Sequence, residues 1–331
     1  MQDSQDKNLT DIIQRFAEQR IVILGDAIAD KFVHGMISRV SREASVFILR
    51  HQHTETLPGG AANCAMNLVA LGARVSLIAV TGDDESGGEL RAKLEAAGVN
   101  IDGVIVSDKV ETTTKVRILA GQSHSSKQQV IRVDYEGAPL DDEEIRSAIL
   151  KRMEKAFDGA SAFVISDYNY GVVDARAADL IRKSVSVPVL VDSRFRLSEF
   201  TGFTAATPNQ EEVENLAGAS ISTTQDLESA ARSLKARLGH HTLLVTRGSQ
   251  GMTLLEGEAA PVHIRAVGAQ QAVDVTGAGD TVIATFSLAL ASGASFTEAA
   301  HLANYAGGLV VMKRGTATVS ATELEHAIRQ D

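Results

Sequence analysis

Short apolar runs alternate along the chain with stretches whose apolar residues recur at helical spacing. "RIVILGDAIAD" (20–30) places four apolar residues before a Gly-Asp break, which predicts a buried strand running into a turn. "PGGAANCAMNLVALG" (58–72) opens on Pro-Gly-Gly, then stacks Ala62, Met66, Val69 and Ala70 as a helix capped by Gly72. "RVSLIAVTG" reads as a strand, and "DDESGGELRAKLEAAGV" as an amphipathic helix ending at Gly98. From residue 141 the alternation is regular. A charged helix (141–157) precedes "SAFVISDY", a helix near 174–184 precedes "VPVLVDS", "FTAATPNQEE" leads into a helix, and a helix at 224–238 precedes "HTLLVTRG". "GMTLLEG" and "VHIRAVG" add an antiparallel edge, and helices at 280–292 and 297–312 come before "RGTATVS" and a terminal helix. Continuously apolar strands alternating with helices predict an α/β fold, a mainly parallel sheet covered on both faces.

Two segments break this rhythm. Residues 31–57 are rich in β-branched and aromatic residues without a helical period, predicting two or three short, half-exposed antiparallel strands. Residues 112–135 read as a hairpin, "TTTKVRILA" and "QQVIRVDYE" about the polar turn "GQSHSS". Together they predict a small separate β-sheet, a lid projecting from a single domain of residues 1–331.

Composition narrows the function. The net charge of −10 and isoelectric point near 5.4 argue against a nucleic-acid partner, which requires a basic face. No apolar run reaches the roughly eighteen residues of a membrane span, and the polar first twenty residues do not resemble a secretory signal. The expected location is the cytoplasm, with no membrane partner. The single cysteine, Cys64, reads as a small buried thiol. The nine histidines include no zinc-type spacing.

In open α/β sheets, ligands bind outside the carboxyl ends of the strands. The loops there carry Asp26 and Asp30; Gly59, Gly60 and Asn63; Asp167; Asn209 and Glu212; Arg247 and Gly248; and the loop from Asp274 to Asp280. Each has a plainer reading, since Asp and Asn after a strand are common helix caps. Their recurrence at one end of successive strands favours a site.

The last loop, "DVTGAGD", opens the apolar run "TVIATFSLALASG". The backbone N–H groups of Gly277, Ala278 and Gly279 would be free to hold an anion, aided by the helix dipole. The same dipole would keep Asp280 ionised. A carboxylate beside an anion hole suits phosphoryl transfer to an alcohol: a base for the nucleophile and fixed donors for developing charge. There is no Walker A loop, and no GxGxxG follows the first strand.

"PGGAANCAMNLVALGARVSLIAVTGDDESG" together with "DVTGAGDTVIATFSLALASG" resembles the paired signatures of the ribokinase-like carbohydrate kinases. The likeness runs through "GD…D", "TPNQEE", "VTRGSQG" and a final Gly-Thr. Within the family, "LGDAIADKFVHGMISRVSREASV", "QQVIRVDYE" and "ISDYNYGVV" look most like the kinases of D-glycero-β-D-manno-heptose 7-phosphate. The resemblance implies a ribokinase-like three-layer fold and ATP-dependent phosphorylation of that sugar at O1, in ADP-heptose and lipopolysaccharide core synthesis. It implies Asp280 as general base, Gly277 to Gly279 as anion hole, and Asp26, Asp30, Gly59, Gly60 and Asn63 on the sugar, with Asp167 nearby. It implies Asn209 and Glu212 holding Mg²⁺ through water, Arg247 and Gly248 on the phosphate path, Asn304 beside the adenine, and Asp274 with Thr276 at a K⁺ site.

The chain carries no HxGH-type motif, so a single-function kinase is expected. For the sugar phosphate the candidate cations are Lys31, Arg39, Lys115, Arg117, Arg132 and Arg194, with Arg117 and Arg132 the preferred pair. "DSRF" (192–195) departs from the Asp-Pro-Lys usual in heptose kinases, and Arg194 matches the charge of that lysine without its geometry. Exposed lid strands would be covered by the lid of a second copy in a homodimer. Alternatives are a kinase of another sugar or sugar phosphate, and a non-catalytic sugar or nucleotide sensor.

Overall fold

In the computed structural model, residues 2–121, 127–268 and 272–330 are described. The turn residues 122–126 of the expected hairpin lie outside them. The strands are β1 (Arg20–Gly25), β2 (Ala27–Val40), β3 (Phe47–Gly60), β4 (Arg74–Ile78), β5 (Val80–Gly82), β6 (Ile105–Ser107), β7 (Thr114–Gly121), β8 (Gln128–Tyr135), β9 (Ala162–Asp167), β10 (Val189–Ser193), β11 (Ala205–Ala206), β12 (Thr242–Thr246), β13 (Met252–Glu256) and β14 (Val262–Ile264). The helices are α1 (Gln2–Gln14), α2 (Ala61–Ala70), α3 (Glu85–Ala96), α4 (Glu143–Ala156), α5 (Ala175–Ser184), α6 (Gln210–Ala217), α7 (Thr224–Leu238), α8 (Ala278–Ala291), α9 (Phe296–Val310) and α10 (Ala321–Gln330).

Eight strands form the central sheet in the order β14-β13-β12-β11-β10-β9-β1-β4. Pairing is parallel from β12 through β4 and antiparallel at the β12-β13-β14 edge. β1 explains why apolar runs rather than alternation mark these strands. Its Ile21 and Ile23 enter one buried cluster, with Leu68 of α2 and Phe286 of α8. Val22 and Leu24 enter the other, with Ile149 of α4, Ile181 of α5 and Leu234 of α7. A strand covered on both faces needs apolar side chains at every position. α8 is buried from Asp280 to Ala289, which accounts for its nearly unbroken apolar sequence.

Three sequence readings change. The polar start of the chain contains α1, whose Leu9, Ile12 and Ile13 are buried, together with Phe16 beyond it, at helical spacing. "RVSLIAVTG" is two strands: β4 lies in the central sheet, while β5 pairs with β6 in a separate ribbon. Residues 31–57 do not form short strands. β2 and β3 each run fourteen residues, with register shifts at His34/Gly35 and Ile37/Arg39. β2 pairs parallel with β7, and β7 antiparallel with β8, giving a four-stranded sheet in the order β3-β2-β7-β8. One residue, Asp26, separates β1 from β2, so this sheet springs directly from the end of a core strand, one in from the β4 edge. Among the described residues, no helix is long and apolar enough to cross a membrane.

Candidate active site

The loop before α8 turns through Gly277, whose φ of 75° is left-handed. A Cβ there would stand 2.4 Å from Asn63 Nδ2, so both backbone and space demand glycine. The Ala278 N–H donates to Val275 O at 3.2 Å, which withdraws it from the expected anion hole. The N–H groups of Gly277 and Gly279 are paired with no acceptor among the described residues, so the hole narrows to these two amides.

Asp280, in the first turn of α8, is 3 % exposed. Asn63 Nδ2 donates to one carboxylate oxygen at 2.8 Å, and the Tyr168 hydroxyl donates to the other at 2.9 Å. Burial outweighs these donors and lifts its pKa to about 7. The expected permanent ionisation by the helix dipole does not hold: removal from water is the larger effect. An acid titrating near neutrality is well matched to taking a proton from a hydroxyl.

Asn63 comes from the first turn of α2, which starts at the left-handed Gly60 (φ 57°). A Cβ on Gly59 would fall 2.4 Å from Asp30 Oδ2, so the Gly-Gly pair lets β3 pass over this carboxylate. Asp30 on β2 forms a buried ion pair with Arg117 on β7. Burial raises the Asp30 pKa despite that partner. Lys115 is the cross-strand neighbour of Asp30. Its ammonium lies 5.8 Å and 5.7 Å from the ring centres of Tyr168 and Tyr170, and 3.9 Å from Glu136. Burial lowers its pKa.

Other sequence candidates turn inward. Asp26 accepts the backbone N–H groups of Tyr168, Tyr170 and Val172 at 2.7, 3.2 and 3.3 Å, and burial raises its pKa to about 6. It therefore anchors the loop that delivers Tyr168. Asp167 accepts from Ser193 Oγ at 2.7 Å and from Arg196 Nη1 at 3.3 Å. Arg132 lies opposite Arg117 but pairs with Asp134 at 2.8 Å, and Lys31 pairs with Glu89 at 3.3 Å. Arg39 is exposed near the far end of β2, and Arg194 is exposed beside the Phe195 ring.

A cleft of about 250 Å³ joins Asp280 and Gly277 to Gly279 with Asp167, Asp192, Arg194, Asn209 and Glu212. Asn209 and Glu212 form a capping box at the start of α6, with bonds of 2.8 and 2.9 Å. Glu212 Oε1 accepts no bond among the described residues. Arg247 leans on Gln250 at 2.8 Å beside Gly248 in an adjoining hollow. Beyond Gly279 lies an apolar slot lined by Met252, Val267, Val282, Val311 and Asn304, whose amide donates to Arg265 O at 2.7 Å. Asp274 accepts the N–H of Thr276 at 3.0 Å and of Gly315 at 2.9 Å. Those backbone bonds outweigh partial burial and hold its pKa below the ordinary value.

Sequence reasoning passed over Tyr168, Asn67 and Asp192 as site residues. Tyr168 follows the strand-end "SD", an available signal. Asn67 falls on the apolar stripe of α2, where an amide is itself unusual.

The pattern of the pfkB family of carbohydrate kinases matches residues 20–323. The chain is 41% identical over 320 residues to the bifunctional protein HldE of Coxiella burnetii (strain Dugway 5J108-111), covering 96% of this chain and 65% of that protein. It is 41% identical to the bifunctional protein HldE of Pectobacterium atrosepticum, covering 95% and 64%. The chain thus spans about two thirds of these relatives' length, and the expectation of a single-function enzyme is not supported by them. Arabidopsis thaliana ribokinase complexed with ribose and ATP superposes with a TM-score of 0.72 at 22% identity over 94% of this chain and 98% of that one. Escherichia coli phosphofructokinase-2 in complex with potassium gives 0.76 at 19%, again over 94% and 98%. With the ribokinase-like fold and the family pattern in agreement, the chain belongs to the pfkB family and is a carbohydrate kinase.

Proposed function

We propose that this kinase transfers the γ-phosphoryl group of ATP to O1 of D-glycero-β-D-manno-heptose 7-phosphate, giving the 1,7-bisphosphate for ADP-heptose and lipopolysaccharide core synthesis. The observation that carries the chemistry is Asp280, buried between Asn63 and Tyr168 beside the two unpaired glycine amides. Asp280 takes the proton of the anomeric hydroxyl. Gly277 and Gly279 stabilise charge on the transferred group, and Asp30, Gly59, Gly60 and Asn63 border the sugar. The sequence likeness to heptose 7-phosphate kinases supports this sugar over others.

ATP fits an adenine in the slot beside Asn304, with its phosphates passing Arg247 and Gly248 toward Gly279. No cluster of three or more His, Cys, Asp or Glu able to hold a metal exists among the described residues. Mg²⁺ therefore fits as a companion of the nucleotide phosphates, met through water by Asn209 and Glu212. It would neutralise phosphate charge there. Asp274 and Thr276 belong to a K⁺ site behind the loop, consistent with the lowered pKa of Asp274. Residues 1–331 act as one kinase domain, and the four-stranded sheet serves as the lid. Val130, Ile131, Val133 and Tyr135 on β8 are exposed, as is Phe47 on β3, and a second subunit's lid would cover them.

The second reading keeps the chemistry and changes the sugar, because Arg117 and Arg132 are already paired with Asp30 and Asp134. A panel of sugars and sugar phosphates assayed for ADP release with Mg²⁺ and K⁺ decides between them. Turnover on heptose 7-phosphate is expected. Turnover on fructose or ribose with none on heptose 7-phosphate would overturn the substrate.

A further inference from the structure

The seam between α2 and α8 holds a line of polar groups in an otherwise apolar contact. Asn63, Asn67 and Thr281 are each 0 % exposed, among the buried neighbours Cys64, Ala65, Leu68, Ile283 and Ala284. Such a line is costly unless every member is satisfied, and here each is. Asn67 Nδ2 donates to the backbone carbonyl of Asn63 at 3.0 Å. A carbonyl can only accept, so the orientation of the Asn67 amide is fixed. Asn67 Oδ1 then accepts from the Thr281 hydroxyl at 3.0 Å. Asn67 Nδ2 also reaches Asn63 Oδ1 at 3.3 Å, so that oxygen must face Asn67. By elimination, Asn63 Nδ2 faces Asp280, at 2.8 Å.

We propose that Asn67 and Thr281 are positioning residues that lock the Asn63 amide with its N–H₂ toward the catalytic carboxylate. The reversed amide would set its oxygen against a carboxylate oxygen. The lock also reaches the glycine loop: Gly277 O lies 3.4 Å from Asn63 Nδ2 and 3.2 Å from Thr281 Oγ1, whose single proton it shares with Asn67 Oδ1. Packing alone would be served by apolar side chains at positions 67 and 281; the amide and the hydroxyl add the orientation of Asn63 to that packing.

The consequence is a setting for the base. Losing a donor to a carboxylate raises its pKa. The other groups that face Asp280 are Tyr168 from the loop after β9, Asp30 and Lys115 from the four-stranded sheet, Asp192 from β10 and Cys64 from α2. None of them is altered by a change at 67 or 281.

The inference rests on Asp280 as the base, and its test uses whichever sugar turns over, so failure here leaves the substrate assignment untouched. If Asp280→Asn keeps near-full turnover, the base reading itself fails, and this is seen separately. The double variant Asn67→Leu/Thr281→Val removes both polar groups together. Its kcat should lose roughly tenfold near pH 6 and less than about twofold near pH 9, an upward shift of the acid limb by about one pH unit. Thr281→Ser alone, which keeps the hydroxyl beside an intact Asn67, should show the native profile. A folded double variant with the native profile, or with the same loss at every pH, overturns the proposal. Should the double variant not fold, Asn67→Ala is read by the same two criteria.

Discussion

The two ends of the loop from Asp274 to Asp280 carry the same side chain and opposite chemistry. Asp274 is partly exposed, and two backbone N–H groups hold its pKa below the ordinary value. Asp280 is sealed from water and met only by an amide and a phenol, so its pKa climbs to about 7. Burial separates them first, and the class of hydrogen-bond donor second. Had the free amides of Gly277 and Gly279 turned onto Asp280, its pKa and its affinity for the proton would fall, and the anion would lose its donors. The loop keeps its carboxylates apart by burying one and leaving the other partly in water on backbone donors.

Asp280→Asn breaks the comparison most severely, with a loss in kcat of at least about a hundredfold and little change in sugar affinity. Steady-state rates beside equilibrium binding check it. The same variant tests the electrostatics. A carboxyl whose folded pKa is raised stabilises the fold below its unfolded value of 3.8. That contribution drains away as pH rises toward about 7. Asp280→Asn should therefore melt higher than the native chain near pH 8, with the gap closing toward pH 4. A gap that widens in acid contradicts the assignment.

Gly277→Ala should follow, with about a tenfold loss in kcat or more. It adds left-handed strain of about 1–2 kcal/mol and drives a methyl into Asn63. Asp274→Asn places an NH₂ or an oxygen where the Thr276 and Gly315 amides both need acceptors, costing about 1–3 kcal/mol in thermal or denaturant unfolding. It should alter the response to K⁺ and leave the acid limb of the rate profile in place. A moved limb would mean that the two ends are coupled. Tyr168→Phe is the mildest: a severalfold loss near pH 6 that fades by about pH 9, read from the kcat profile.

The layered architecture was legible because β1 and its neighbours need apolar side chains on both faces. α1 was missed although Leu9, Ile12, Ile13 and Phe16 sit on one face, since a mixed-charge surround masks a four-residue stripe. β2 and β3 were cut short for a different reason. β3 is largely exposed from Phe47 to Glu55 and β2 is exposed from Ser38 onward, so strong apolar alternation does not mark their length. At the site, the identity of the loop could be read from "GAGD", but the pKa of Asp280 could not. That value depends first on burial by distant segments, then on Asn63, 217 residues away, and Tyr168, 112 residues away, and no local pattern encodes such distances. Asp26 shows the converse. Its place after β1 reads as ligand-facing, whereas three backbone amides consume it.

Cys64 offers a practical opening. It is the only thiol of the chain, fully enclosed beside Asn63, and burial holds its pKa well above the ordinary range. Maleimide reagents, which require an accessible thiolate, should leave the folded protein unlabelled. A cysteine introduced at Ser45, in the exposed turn between β2 and β3, would then accept a single dye without first removing the native one. Fluorescence from that position would follow the four-stranded sheet through a turnover, in a molecule whose catalytic seam has not been touched.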